Sequence, residues 1–110
     1  MLNVSSTSGL RGRKHWGSYS ASKAAVNSVT ESLAAEGEEF NIYAYALCIG
    51  RTKSKMRNRL FPGEDQDQLM EPKELAELCL NLVVNTPSLP TGSKILIKQD
   101  VKRPISWALG

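Results

Sequence analysis

Three side chains near the N-terminus have the types and spacing to act together on one oxygen atom. Tyr19 and Lys23 are four residues apart, which on a helix places them on a shared face. Ser6 stands thirteen residues before Tyr19, where residues 1–6 read as the end of a buried strand running into a loop. In open α/β sheets, ligands collect at the carboxyl ends of strands. A phenol with a pKa near about 10 is a poor acid or base at neutral pH. A lysine ammonium one turn away favours the phenolate and brings it toward the working range. A serine hydroxyl can hold a carbonyl or alcohol oxygen while its charge changes. A tyrosine and a lysine at this spacing are, on their own, equally an ordinary amphipathic pair, so the surrounding elements have to decide.

Those elements alternate. After the first strand, residues 7–17 carry several glycines and a basic cluster without periodicity, which reads as a loop. A helix is expected from Tyr19 to about Glu36, with Val26, Val29 and Leu33 at helical steps and Gly37 marking its end. The same helix carries a second stripe of small residues: Ala21, Ala24, Ala25, Ser28, Ser32 and Ala35. Asn41 to Ile49 reads as a strand, and Gly50 to Asp67 as an irregular polar stretch. Glu71-Pro72 opens a second helix, with proline in the first turn and an apolar stripe of Leu75, Leu78, Cys79, Leu82 and Val83. Ser93 to Lys98 alternates around Ile95 and Ile97 as a last strand. The final ten residues show no pattern. Strand, helix, strand, helix, strand argues for parallel strands with crossover helices.

Composition narrows the class further. The chain has 110 residues, 41 % of them hydrophobic and 23 % charged, which is ordinary for a globular domain. No apolar run approaches the roughly 18 residues of a membrane span, so no membrane partner is expected. Residues 1–14 are too polar for a signal peptide, and a cytoplasmic location is the expectation. Cys48 and Cys79 sit in apolar settings far apart and read as reduced core residues. His15 cannot complete a zinc site with them at a usual spacing, so no metal is expected. The net charge of +3 comes largely from Arg11-Gly12-Arg13-Lys14 and from Arg51, Lys53, Lys55, Arg57 and Arg59. These residues could meet phosphate, and the second group flanks a candidate loop where a phosphorylated substrate could lie. Solvated charge is the preferred reading, and nucleic acid is not an expected partner, because no recognition motif accompanies the charge.

Asn3-Val4-Ser5-Ser6, then Gly9, then Tyr19-Ser20-Ala21-Ser22-Lys23-Ala24-Ala25 resembles the short-chain dehydrogenase/reductase family. The resemblance implies a Rossmann-like, doubly wound α/β fold and NAD or NADP as cofactor. It further implies a hydride-transfer oxidoreductase acting on a small alcohol or carbonyl compound. It implies that Tyr19 is the general acid/base and Ser6 the hydroxyl that orients substrate. Lys23 would lower the tyrosine pKa and bind the ribose on the nicotinamide side. Downstream, Ile49-Gly50-Arg51-Thr52-Lys53-Ser54-Lys55-Met56 resembles the family's nicotinamide loop. Gly50, Thr52 and Ser54 are thereby cofactor-binding candidates, with Ile49 where the family has proline. Glu71 to Ala76 resembles its late helix and Pro90 to Ile97 its last strand. His15 and Trp16 fall in the loop that borders the substrate pocket, as packing or substrate contacts.

The first half of the family's pattern is not found: no glycine-rich phosphate loop follows a strand. The expectation is therefore a partial Rossmann-like unit, with residues 1–100 as the C-terminal catalytic half and 101–110 as a tail. The small-residue face of the first helix would then pack on the missing half or on a second copy in a homo-oligomer. The alternative expectation is a non-catalytic fragment that serves as an interaction or complementation partner of a longer chain.

Overall fold

The computed structural model describes residues 1–84, 89–98 and 106–109. Its strands are β1 (Leu2–Ser6), β2 (Tyr45–Ile49), β3 (Lys94–Lys98) and β4 (Ser106–Leu109), and its helices are α1 (Gly17–Gly37), α2 (Lys55–Leu60) and α3 (Pro72–Val84). The sheet order is β1-β2-β3-β4. The first three strands are parallel, with Val4 opposite Leu47 and Leu47 opposite Ile95. β4 joins β3 antiparallel, with Trp107 opposite Ile97. The expected α/β order is thus present, and residues 106–109 of the patternless C-terminal segment add a strand.

The two faces of β2 are packed differently, because alternate residues of a strand point to opposite faces. Tyr45 and Leu47 join Ile95, Ile97, Met70 and Leu82 in the main core, against which Leu75, Leu78 and Cys79 of α3 also pack. Val83 does not belong to this stripe: it is exposed, as are its neighbours Leu80 and Val84. Cys48, one residue out of phase with Leu47, turns instead toward α1, where its Sγ meets Asn27 Oδ1 at 3.7 Å. Burial pushes both cysteine thiols up, so neither is a ready nucleophile at neutral pH.

α1 meets the sheet through a face that hydrophobic periodicity does not mark. Its buried residues are Ser20, Asn27, Thr30, Ala34 and Gly37, whereas Val29 is exposed. The polar members are tolerated because most are bonded. Asn3 Nδ2 donates to Thr30 Oγ1 at 2.9 Å, Thr30 Oγ1 donates to the Val26 carbonyl at 2.7 Å, and Asn27 Nδ2 donates to the Gly9 carbonyl at 3.3 Å. Two small residues, Ala44 just before β2 and Ala46 within it, are fully buried and allow a close approach. The stripe Ala21, Ala24, Ala25, Ser28, Ser32 and Ala35 lies on the opposite side of α1 and is exposed.

The helix end also differs in cause from the expectation. Gly37 is the last residue of α1 with a negative φ of −82°, while Asn41 takes the left-handed conformation at φ 58°. Gly37 is required by proximity: a Cβ there would lie 2.9 Å from the Ile42 carbonyl oxygen. The chain folds back at once, with the Ile42 amide donating to the Gly37 carbonyl, and enters β2 later than its apolar pattern suggests. The irregular stretch after β2 contains α2, whose N-cap is Ser54, and a short 3-10 turn at Gln66–Gln68 capped by Asp65.

Candidate active site

β1, β2 and β3 run parallel, so Ser6, Ile49 and Lys98 end at the same edge of the sheet. A cleft of about 1050 Å³ opens there, the position at which α/β sheets collect ligands. One wall is the connection from β1 into α1, and the other is the segment from Gly50 to Phe61. Ser6, Tyr19, Lys23, Gly50, Thr52 and Ser54, distant in sequence, all line this one cleft.

Ser6 is the last residue of β1 and is buried. Its Oγ accepts a hydrogen bond from the Ser8 amide at 3.1 Å and so caps the short 3-10 turn at Thr7–Gly9. That bond uses a lone pair and leaves the hydroxyl proton free to be donated. The Ser6 hydroxyl is thus a donor held in a fixed turn at the cleft.

Tyr19 sits in the first turn of α1, and Lys23 follows one turn later with its Nζ 5.8 Å from the tyrosine ring centre. Two contacts fix this turn against β1. Ser5 Oγ donates to the Lys23 carbonyl at 3.2 Å. Gly9 presses on the same residue so closely that a Cβ at Gly9 would stand 2.8 Å from the Lys23 carbonyl carbon. Ser5 thus helps hold the turn that carries Lys23.

On the other wall, the Gly50 amide donates to the Ile97 carbonyl at 2.8 Å. Thr52 Oγ1 donates to the Gly50 carbonyl at 3.1 Å. Buried Met70 grips the loop through its backbone, accepting from the Lys53 amide at 3.0 Å and donating to the Arg51 carbonyl at 2.9 Å. Lys53 also pairs with Glu71. Ser54 Oγ accepts from the Arg57 amide at 3.0 Å, which again leaves a hydroxyl donor.

Sequence reasoning did not foresee the bridge that joins the two walls. Trp16 meets Tyr19 edge-on, with ring centres 5.5 Å apart, and stacks on Phe61 at 5.9 Å with the planes 7° apart. The Arg57 guanidinium caps the far side of this group, 4.1 Å from the Phe61 ring centre. Arg57 is itself held by Glu64 through two bonds of 2.8 and 2.7 Å, the fork geometry that suits guanidinium and carboxylate. Trp16 and Phe61 are 45 residues apart, and no local spacing signals their contact. The only usable sign was an aromatic residue in each polar loop.

The Arg57 guanidinium, through its hydrogen bonds and its charge, holds the Glu64 carboxyl below the usual carboxylate range. The folded-state pKa is lowered, so this pair's contribution is complete above the unfolded value of about 4.3. It is lost as pH falls through the lower folded value. Ring-proton NMR shifts of Phe61 are therefore expected to stay constant from pH 7 to 5 and to move only in more acidic solution. A midpoint near pH 6 would contradict the clamp.

Helices on both faces of an open, mostly parallel sheet, with hydroxyl, phenol and ammonium groups in the cleft at its carboxyl ends, define a Rossmann-type α/β protein. The family model for short chain dehydrogenases matches residues 1–65, and the chain belongs to that family. It is 34 % identical over 94 residues to the uncharacterized oxidoreductase YciK of Escherichia coli K12, covering 84 % of this chain and 36 % of that protein. A short chain dehydrogenase from Salmonella enterica serovar Typhi superposes with a TM-score of 0.76 at 30 % identity, over 86 % of this chain and 39 % of that one. One from Escherichia coli CFT073, complexed with NADPH, superposes with a TM-score of 0.74 at 32 % identity, over 84 % and 38 %. The chain thus spans well under half the length of these relatives.

Proposed function

We propose that this chain supplies the catalytic half of an NAD(P)-dependent oxidoreductase that interconverts an alcohol and a carbonyl compound. The observation that carries the reading is the convergence of Ser6, Tyr19 and Lys23 on one cleft at the carboxyl ends of the strands. When bound, the nicotinamide cofactor supplies or removes the hydride at carbon. In the reducing direction, the Ser6 hydroxyl donates a hydrogen bond to the carbonyl oxygen, and Tyr19 gives that oxygen its proton. In the oxidising direction, Tyr19 takes the proton back. Lys23, one turn on, holds its ammonium 5.8 Å from the tyrosine ring centre in the same cleft.

The residues present suit such a cofactor. Lys23 offers an ammonium donor to ribose hydroxyls, and the capping geometry of Ser54 leaves its hydroxyl proton free for a carboxamide oxygen. Thr52 spends its proton on Gly50 and so serves as an acceptor or as a loop brace, with Gly50 keeping the turn slim. Residues 1–100 are read as this half. The exposed small-residue face of α1 is read as the surface covered by further chain or by a second copy. The test is quenching of NADH and NADPH fluorescence combined with turnover of a ketone and aldehyde panel. Cofactor-dependent carbonyl reduction that is lost in Tyr19→Phe would establish the reading. No binding of either nucleotide at millimolar concentration would reject the reading.

A further inference from the structure

The cleft is charged in one sense only. Among the described residues, seven of the twelve Lys and Arg side chains line it, and none of the ten Asp and Glu side chains does. For a chain with nearly balanced charge, that segregation concentrates positive potential where a ligand enters. Four of the seven stand on other elements than the loop that follows β1. Lys23 belongs to the reacting end. Arg57 is neutralised by Glu64, and Arg51 approaches the same carboxylate at 4.0 Å. Lys98 marks the end of β3.

Arg11, Arg13 and Lys14 are the remaining group, and they form one short segment. Among the described residues, none of the three makes an ion pair with a carboxylate. The segment is nonetheless anchored. The Trp16 amide donates to the Arg13 carbonyl at 3.0 Å, His15 takes the left-handed conformation at φ 69°, and the Trp16 ring is gripped between Tyr19 and Phe61. Unpaired cations thus stand on a turn tied directly to the ring of the proposed proton donor. Guanidinium and ammonium groups so arranged recognise oxyanions, arginine by a two-bond fork.

We propose that Arg11, Arg13 and Lys14 select a carbonyl substrate that carries an anionic group, phosphate or carboxylate, apart from its reacting carbonyl. This rests on the oxidoreductase reading above and extends it to the substrate class. The charged end would lie on this turn while the carbonyl lies between Ser6 and Tyr19.

The test compares ketones matched around the carbonyl: 4-oxopentyl phosphate with 5-hydroxypentan-2-one, and 5-oxohexanoate with its methyl ester, each with NADH and with NADPH. The charged member of each pair is expected to show at least about tenfold higher kcat/KM at low ionic strength. That preference should shrink as KCl is added, because exposed charges are screened over roughly 8–10 Å. In the double variant Arg11→Glu/Lys14→Glu the charged-to-neutral ratio should collapse toward one, while Lys73→Glu, outside the cleft, should keep it. Equal kcat/KM within the pairs overturns the proposal. So does a double variant that weakens NADPH binding as much as it weakens use of the charged ketone, because the anion served would then be the cofactor's. If no ketone is turned over, the oxidoreductase reading fails separately, and calorimetry with 4-oxopentyl phosphate decides this one. Binding lost in the double variant supports the anion site, and no binding to the unaltered chain overturns it.

Discussion

Tyr19→Phe is expected to lower kcat for carbonyl reduction by about 10²–10⁴-fold, the range supplied by a positioned general acid or base. KM and NADPH affinity should change little. The substitution deletes one oxygen and keeps the ring. The edge contact with Trp16 at 5.5 Å and the Lys23 ammonium at 5.8 Å from the ring centre both involve the part that remains. Ser6 keeps its bond from the Ser8 amide, so the substrate oxygen would still find a donor but no proton source. The check is steady-state kinetics beside a thermal melt. A fall in kcat with an unchanged melting temperature identifies the phenol as the proton carrier. Retention of kcat within about threefold would remove Tyr19 from that role.

How much of this site the sequence could reveal depended on whether the determinant was local. Tyr19 and Lys23 are joined by one helical turn, so their shared face followed from spacing alone. Ser6 required only that a strand end where the polar residues begin. The core side of β3 was legible because Ile95 and Ile97 alternate with their neighbours, whereas β2 is apolar on both faces and shows no such sign. The sheet-facing side of α1 was not, since its buried positions are Asn27 and Thr30, satisfied by hydrogen bonds rather than by apolar contact. Valine spacing pointed instead to Val29, which faces outward. The end of α1 at Gly37 was legible, but its cause was not: a glycine is needed there because Ile42 crosses close by. β4 carries too few residues for periodicity and forms by pairing with β3. The aromatic bridge between Trp16 and Phe61 is purely tertiary.

Gly9→Ala is expected to have the largest effect of any single methyl group in the chain. Its new Cβ would stand 2.8 Å from the Lys23 carbonyl carbon and 2.9 Å from Lys23 Cβ and from the Lys23 carbonyl oxygen. Two of these are backbone atoms of a regular helix and cannot swing aside, so α1 or the Thr7–Gly9 turn must move. Overpacking of this kind costs about 1–3 kcal/mol, and each kcal/mol shifts the melting temperature of a small domain by roughly 4–8 °C. The movement falls on the joint that sets the site. Ser6 lies three residues before Gly9 on one element, and Tyr19 lies four before Lys23 on the other. The Asn27 bond to the Gly9 carbonyl and the Ser5 bond to the Lys23 carbonyl cross the same gap. A displacement of about 1 Å between reacting groups can cost about 10²-fold in rate, so kcat should fall together with stability. Gly12→Ala provides the contrast. A Cβ at Gly12 meets nothing within 4 Å, and its φ lies outside the left-handed range, so the melting temperature should hold or rise slightly. Paired melts and kinetics of the two variants separate a contact that aligns the site from a general intolerance of substitution in this glycine-rich loop. Equal, small effects at both positions would show that the close approach of Gly9 to Lys23 does not set the geometry.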